Sequence, residues 1–408
     1  MTHLLSIDRV GTLIVGGGQA GLQTALSLRD FGYLDRVMII GREPYLPYHR
    51  PPLSKAFLSS EKSVDSLLIR GPAVYERSSI EIQSDMTVTD IDAKNKVALL
   101  DNGTTIGFTS LVLAQGGQAR APEIPVRDAS TGRTRTTDAP EGVVTLRSLE
   151  DAITLRRLLG DPKRVVLVGA GFVGLEVAAS VTGLGHSATV IGRSNRLMRE
   201  VLHPITSDYL REAHLRHGVT VELGVTIAAL IERDNNVTGV ELADGRVVPA
   251  DLVIAGLGLI PETTLAEQLG LELDGGIVVD SEGRTGLAWV WATGDCANRR
   301  VPSGAVSRIE SVHNAIDSAR AVAGSIAQRP TAKRETPWFW SDQFAIKLQM
   351  AGSFGADTTT RLLGELSNDE FIVEHYQSGI LVGVTAVNSP RQFLRYRQEL
   401  DGPNPRKQ

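Results

Sequence analysis

Val15-Gly16-Gly17-Gly18-Gln19-Ala20-Gly21 and Val168-Gly169-Ala170-Gly171-Phe172-Val173-Gly174 are the two stretches that decide the fold. Each follows an apolar run, Leu13-Ile14-Val15 in one case and Val165-Val166-Leu167-Val168 in the other. Each also opens an amphipathic segment, Leu22 to Arg29 and Leu175 to Val181. A strand that turns on glycine into a helix is the setting of a dinucleotide-binding turn. The first glycine permits the tight turn, the second lets backbone approach a pyrophosphate, and the third lets the helix pack on its strand. The pyrophosphate then rests on the unpaired N–H groups and positive dipole end of the helix. A single copy also occurs as a plain turn, but two copies in this setting imply two bound nucleotides.

Outward from the first copy, Arg36 to Ile40 reads as a second strand, followed by a proline-rich loop, and Ser110-Leu111-Val112-Leu113-Ala114 closes the unit as another apolar strand. Ala121 to Gly142 is rich in Pro, Thr, Asp and Arg without apolar periodicity and reads as an exposed connection between domains. A second alternation runs from Arg164 to about Ala255, with a strand at Ala188 to Ile191, a helix around Ile205 to His217, a turn at Asp244-Gly245 and a closing strand from Asp251 to Gly256. The two units are repeated βαβ arrangements, each a parallel sheet covered by helices. Strands at Gly276 to Asp280 and Val290 to Asp295 then lead into a helix around Ile309 to Ala327, so the second unit interrupts the first. From Thr331 the character changes to clustered aromatics and alternating strands at Ala345 to Ala351 and Gly379 to Val387, ending in a polar tail from Asp401 to Gln408.

The 408 residues have room for two to four domains, and 42% hydrophobic content with 41 glycines suits a globular α/β enzyme. A net charge of −5 argues against a general nucleic-acid binder. No apolar run reaches the ~18 residues of a membrane span, and Met1-Thr2-His3-Leu4-Leu5 lacks a basic start followed by a long apolar core, so a cytoplasmic protein is expected. Cys296 is the only cysteine, which excludes an intramolecular disulfide and any Cys₄ metal or iron–sulfur site, and no metal is expected.

Pro47-Tyr48-His49-Arg50-Pro51-Pro52-Leu53-Ser54-Lys55 resembles the flavin-contacting loop of the FAD-dependent, NAD(P)H-linked ferredoxin reductases that serve ring-hydroxylating dioxygenases and bacterial P450 systems. Gly171 to Glu176, Ala292-Thr293-Gly294-Asp295, Glu310 to Ala315 and Trp338-Phe339-Trp340-Ser341-Asp342-Gln343 are similar too, in family order along nearly the whole chain. The resemblance implies an α/β fold with two dinucleotide-binding, Rossmann-like domains of glutathione-reductase type plus a C-terminal α+β domain. It divides the chain into a discontinuous FAD-binding domain (1–120 and 256–328), an NAD(P)H-binding domain (121–255) and a C-terminal interface domain (329–408). It also orders the cofactors, which physical reasoning alone does not: FAD on the first fingerprint, NADH or NADPH on the second.

By the same resemblance, FAD is contacted by Gly16, Gly18, Ala20, Gly21, Arg50, Lys55, Val88, Arg147, Asp295, His313 and Trp340, and its adenosine end lies by Arg42 and Glu43. The nicotinamide nucleotide meets Gly169, Gly171, Phe172, Val173, Gly174, Glu176, Arg193, Gly258 and Glu310. Lys55, Glu176 and Trp340 form the catalytic set. A cation at Lys55 would stabilise the negative charge of reduced flavin, Glu176 would hold that lysine, and Trp340, or else Trp338, would cover the reacting rings.

Three positions depart from the family pattern. Gly41-Arg42-Glu43 stands where relatives often place an acid for the adenosine ribose, which leaves the ribose partner open, and Ala114-Gln115-Gly116 replaces an Ala-Thr-Gly segment. Gly192-Arg193-Ser194 stands where NADH-selective relatives usually have Glu. A carboxylate there bonds the ribose 2′-OH and repels a 2′-phosphate, whereas arginine accommodates that phosphate, so NADPH use becomes plausible. Arg193 lying on the adenine or in solvent, with NADH still preferred, is the alternative.

The function implied is hydride transfer from NAD(P)H to FAD, then single electrons to an acidic, transiently docked [2Fe–2S] ferredoxin feeding an oxygenase, as in aromatic hydrocarbon catabolism. Arg391, Arg395 and Arg397 are candidates for a locally basic dock. Disulfide reductases of the same architecture need a redox-active cysteine pair, and this chain has none. Two other readings remain: a rubredoxin reductase or flavin NADH oxidase, and a non-enzymatic redox sensor of the apoptosis-inducing-factor type.

Overall fold

The computed structural model describes residues 7–136, 138–301, 304–330, 334–352 and 358–402. The expectations for Met1 to Leu5, and for the tail beyond Gly402, concern residues outside this set. The chain folds as two compact units, each built from three segments: Met1–His49, Leu67–Gln118 and Ile260–Trp338 in the first, Arg50–Ser66, Ala119–Leu259 and Phe339–Gln408 in the second.

In the first unit the apolar run before the fingerprint becomes the strand Asp8–Val15, flanked in parallel by Val37–Ile40 and Thr105–Leu113. Ile80–Gln83 adds to one edge of this sheet, while Val290–Ala292 joins Thr105–Leu113 in parallel, far along the chain. An antiparallel ribbon, Val88–Asp92 and Val97–Leu100, extends the other side. Side-chain alternation gives the sheet two apolar faces. Leu13, Val15, Leu111 and Leu113 pack into one core with Phe108 and Ile277. Ile14, Ile39 and Val112 face the other, under Leu22, Ala25 and Leu28 of the helix Gln19–Asp30 and Val322 of the helix Val312–Ile326.

The second unit contains an all-parallel sheet in the order Val143–Thr145, Leu252–Ala255, Arg164–Val168, Ser187–Gly192, Thr220–Leu223. Its central strand feeds the helix Phe172–Gly183, and the expected helix near 205–217 is observed as Pro204–Arg216. Two features differ from the sequence reading. The connection Ala121 to Gly142 carries two short strands, Val126–Asp128 and Thr134–Arg135, and Val126 pairs in register with Leu230. Only Val126 of the three-residue Val126–Asp128 is buried, so no alternation was visible. The second strand is held by Arg135, which forms an ion pair with the buried Glu232. Around the Asp244-Gly245 turn lies a three-stranded antiparallel ribbon, Ile227–Arg233, Asn236–Leu242 and Val247–Pro249. The C-terminal segment forms a five-stranded sheet in the order Trp338–Gln343, Ile346–Gly352, Ile380–Val387, Glu370–Gln377, Thr359–Glu365, followed by the helix Pro390–Asp401. Among the described residues no helix is long and apolar enough to cross a membrane.

Candidate active site

Both fingerprints show one division of labour among their glycines. Gly16 and Gly169 adopt φ of +125° and +113°, where a side chain is strained, and a Cβ on either would stand within 2.3 Å of a carbonyl oxygen on the neighbouring strand's exit. A Cβ on Gly21 or Gly174 would lie 2.0 or 2.3 Å from the carbonyl oxygen of Gly16 or Gly169, so both helices press directly on their turns. The middle glycines differ. Gly18 and Gly171 have extended backbone, cap their helices without a side-chain hydrogen bond, and face open space with nothing within 4 Å. Each 12-residue helix therefore presents its first N–H groups to an unobstructed cradle, which suits a pyrophosphate. This is the fit expected of a dinucleotide at each of the two turns.

In the first unit, Ala20 is buried in the first helical turn, and Arg42 and Glu43 follow the end of Val37–Ile40. Glu43 accepts a hydrogen bond from the Tyr48 hydroxyl at 2.5 Å, while Arg42 is exposed. Val88 is buried in the apolar core at the start of its strand. Asp295 lies half-buried in the short turn Gly294–Cys296. His313 occupies the first turn of the helix Val312–Ile326, with Nε2 3.0 Å from Glu335 and its ring 5.7 Å from that of Trp338. Glu310 forms an ion pair with Arg308 at 2.9 Å.

The second unit holds Arg50, Lys55, Arg147, Trp340 and the second fingerprint. Arg50 Nη1 donates to the Arg147 carbonyl at 2.8 Å. Lys55 and Glu176, 121 positions apart, meet: Lys55 Nζ lies 2.8 Å from Glu176 Oε1, with the two side chains 18% and 6% exposed. Glu176 sits one turn into the fingerprint helix, which is how a buried carboxylate comes to lie close behind the cradle. Phe172, in the first turn of the same helix, packs on Phe339 with ring centroids 4.3 Å apart, and Trp340 follows half-buried on the strand Trp338–Gln343. Val173 and Gly258 are exposed, as is Arg193, which leaves the end of the strand Ser187–Gly192. On the C-terminal helix Arg391 and Arg395 face solvent, one turn apart, whereas Arg397 is half-buried.

Sequence reasoning overlooked four polar residues around the ion pair. Ser54 Oγ donates to Glu176 Oε2 and Ser341 Oγ to Oε1, both at 2.6 Å. Gln343 and His214 stand behind Ser341. Ser341 and Gln343 are two apart on a strand and so share its face, which is the one signal the sequence offered.

Cys296 is fully buried, its thiol 3.5 Å from the Leu113 carbonyl and pushed up to about 11 by burial. Such a sulfur is an inert packing group, not a redox centre.

Residues 11–319 match the model of the pyridine nucleotide-disulphide oxidoreductase family, and residues 338–405 match that of a reductase C-terminal domain. The chain belongs to the pyridine nucleotide-disulphide oxidoreductase family. Within it, this oxidoreductase is 37% identical to a protein described as a probable ferredoxin reductase in Castellaniella defragrans, over 95% of this chain and 92% of that one. It is also 37% identical to rhodocoxin reductase of Rhodococcus erythropolis, over 95% of this chain and 88% of that one. Among solved structures, the reductase in the covalent putidaredoxin reductase–putidaredoxin complex superposes with a TM-score of 0.90 at 33% identity, covering 98% of this chain and 94% of that one. The expected α/β fold with a strand-rich C-terminal domain is thus borne out.

Proposed function

We propose that this chain is an FAD-dependent ferredoxin–NAD(P)⁺ reductase, taking hydride from a reduced nicotinamide nucleotide and delivering single electrons to a [2Fe–2S] ferredoxin that supplies an oxygenase. The observation that carries this reading is the combination of two intact cradles with a single, buried, unreactive cysteine in a family named for disulphide chemistry. With no second thiol to form a disulphide, electrons entering from the nicotinamide have no internal sulfur acceptor. The relatives named as ferredoxin and rhodocoxin reductases, and the neighbour solved with its putidaredoxin, support an iron–sulfur protein as the external one.

In this reading the first cradle holds FAD and the second the nicotinamide nucleotide. When bound, FAD accepts a hydride and releases its two electrons one at a time. The chain's own residues bind, orient and charge the site. The helix termini at Gly18 and Gly171 take the two pyrophosphates. Lys55 supplies a positive charge for the electron-rich reduced flavin, and Glu176 fixes that charge in place, 2.8 Å away. The ring of Trp340 limits water access to the reacting faces. Arg193, exposed at the end of the second parallel strand, takes a 2′-phosphate, so NADPH serves as donor alongside NADH.

The test is reduction of cytochrome c by the FAD-loaded protein with saturating NADH or NADPH, with and without a dioxygenase-type [2Fe–2S] ferredoxin. Strong dependence on the ferredoxin is expected. Absence of stimulation with either nucleotide would refute the proposal and favour an oxidase or a redox sensor.

A further inference from the structure

Glu176 does not simply face Lys55. Both of its oxygens are occupied: Oε1 lies 2.8 Å from Lys55 Nζ and 2.6 Å from Ser341 Oγ, and Oε2 lies 2.6 Å from Ser54 Oγ. A second tier backs Ser341. Gln343 Nε2 is 3.0 Å from Ser341 Oγ, and Gln343 Oε1 is 2.9 Å from His214 Nε2. Ser341, Gln343 and His214 are 0%, 1% and 0% exposed, so no solvent competes for these bonds.

The direction of every proton along this chain follows from its ends. An ammonium has donors only, so the Glu176 carboxylate accepts from Lys55. Ser341 has one proton, and the short contact to Glu176 takes it; Ser341 must therefore accept from the Gln343 amide. That turns the Gln343 carbonyl towards His214, which must carry its proton on Nε2. The far end agrees independently. His214 Nδ1 is buried and makes no hydrogen bond, which a bare lone pair tolerates far better than a buried N–H would. Burial also holds His214 below its ordinary pKa, so the ring is neutral.

Ring contacts brace the backing. Phe344, which turns the chain after Gln343, has φ of +54°, a strained value for a bulky residue. Its ring stacks on His217 with centroids 3.9 Å apart and planes at 12°, and meets His214 edge-on at 5.1 Å. The helix Pro204–Arg216 and the residue after it thus clamp the hairpin that presents Gln343 and Ser341.

We propose that Ser341 is a positioning residue for hydride transfer, with Gln343 and His214 as its fixed support. The donor chain holds the Glu176 carboxylate in one rotamer, and thereby fixes where the Lys55 ammonium stands. This rests on the reading of Lys55 as the cation serving the flavin.

Two measurements on the FAD-loaded protein test it. With ¹⁵N-labelled histidine, His214 should give the shifts of a neutral ring protonated at Nε2. The Nδ1-protonated tautomer, or an imidazolium at neutral pH, would overturn the proposal without any variant being made. In stopped-flow flavin reduction by NAD(P)H, Ser341→Ala should retain FAD and near wild-type nucleotide affinity. Its limiting rate should fall roughly tenfold to a hundredfold, the factor set by one lost hydrogen bond to a charged group. Gln343→Met should slow the step less, and the double variant should be no slower than Ser341→Ala alone, because Gln343 acts only through Ser341. A wild-type limiting rate in Ser341→Ala, or losses that multiply in the double variant, would overturn the positioning role. Lys55→Met separates the two levels of inference. If it is slow while Ser341→Ala is fast, only the positioning role falls; if Lys55→Met itself reduces at the wild-type rate, the Lys55 reading falls.

Discussion

Alanine at Gly171 and alanine at Gly174 should damage this protein in opposite ways. A Cβ on Gly174 would stand 2.3 Å from the Gly169 carbonyl oxygen, well inside the 3.0 Å that real Cβ atoms respect. The helix Phe172–Gly183 must then lift from the strand Arg164–Val168, disturbing the contact that buries Leu175, Ala178 and Val181. Overpacking of this kind costs about 1–3 kcal/mol. Alanine's better helix propensity returns less than about 1 kcal/mol. For a domain of this size the balance corresponds to a melting temperature lower by roughly 5 °C. At Gly171, by contrast, the backbone is extended (φ −92°, ψ −174°) and no atom lies within 4 Å, so alanine fits. Stability should change by at most ~1 kcal/mol, the scale of an N-cap exchange. The added methyl instead projects into the open space that a pyrophosphate would occupy, and losing even one hydrogen bond to a phosphate charge should raise the nicotinamide KM about tenfold or more. The second fingerprint is the better place for the experiment, because FAD stays bound while the nicotinamide is varied. Thermal unfolding followed by flavin fluorescence, paired with KM measurements, reads both effects. A wild-type KM in Gly171→Ala would refute the cradle, and an unchanged melting temperature in Gly174→Ala would refute the close approach.

Other expectations are simpler to check. Arg193→Ala should raise the KM for NADPH much more than that for NADH; equal effects would exclude a 2′-phosphate contact. Cys296, buried with its thiol pushed up to about 11, should resist thiol reagents in the native protein and react on unfolding. Cys296→Ala should keep ferredoxin-dependent reduction, and loss of that activity would assign sulfur a role the structure denies it. His375 is buried near His203 and lowered to about 4, so it is neutral in the fold. Below pH 6.5 the unfolded chain binds a proton that the native ring refuses until about pH 4. Stability should accordingly decline as pH falls through that window, and a flat denaturation midpoint there would contradict the assignment.

Local chemistry was legible where it is written locally. The glycine fingerprints announce themselves because turn, cradle and helix contact all fall within seven residues, and the parallel sheets follow from the apolar runs that flank them. The Lys55–Glu176 pair was not legible from residue type alone. The two lie 121 positions apart, and only the likeness of their surrounding motifs joined them. Ser341 and Gln343 stood inside a motif already singled out, yet serine and glutamine advertise no particular chemistry; their meaning comes from burial, which a sequence shows only through the alternation of one strand. His214 is harder still, since its helix reads as ordinary surface helix until Gln343 is placed against it. The ribbon Ile227–Pro249 escaped notice because short strands beside a single Asp-Gly turn leave little periodicity to read.

The alternation of the two units along the chain bears on the order in which the molecule can be made. The second unit's parallel sheet has all its strands once Ala255 has been synthesised, whereas the first unit's sheet still lacks Val290–Ala292. On a ribosome, where chains emerge from the N-terminus, that parallel sheet can therefore close first. Until Val290–Ala292 follows, the N-terminal strands expose the flank of Thr105–Leu113 that it pairs. Nascent chains stalled between these points should be the aggregation-prone species of this protein, and the last strand to arrive is the one that leads directly into Asp295.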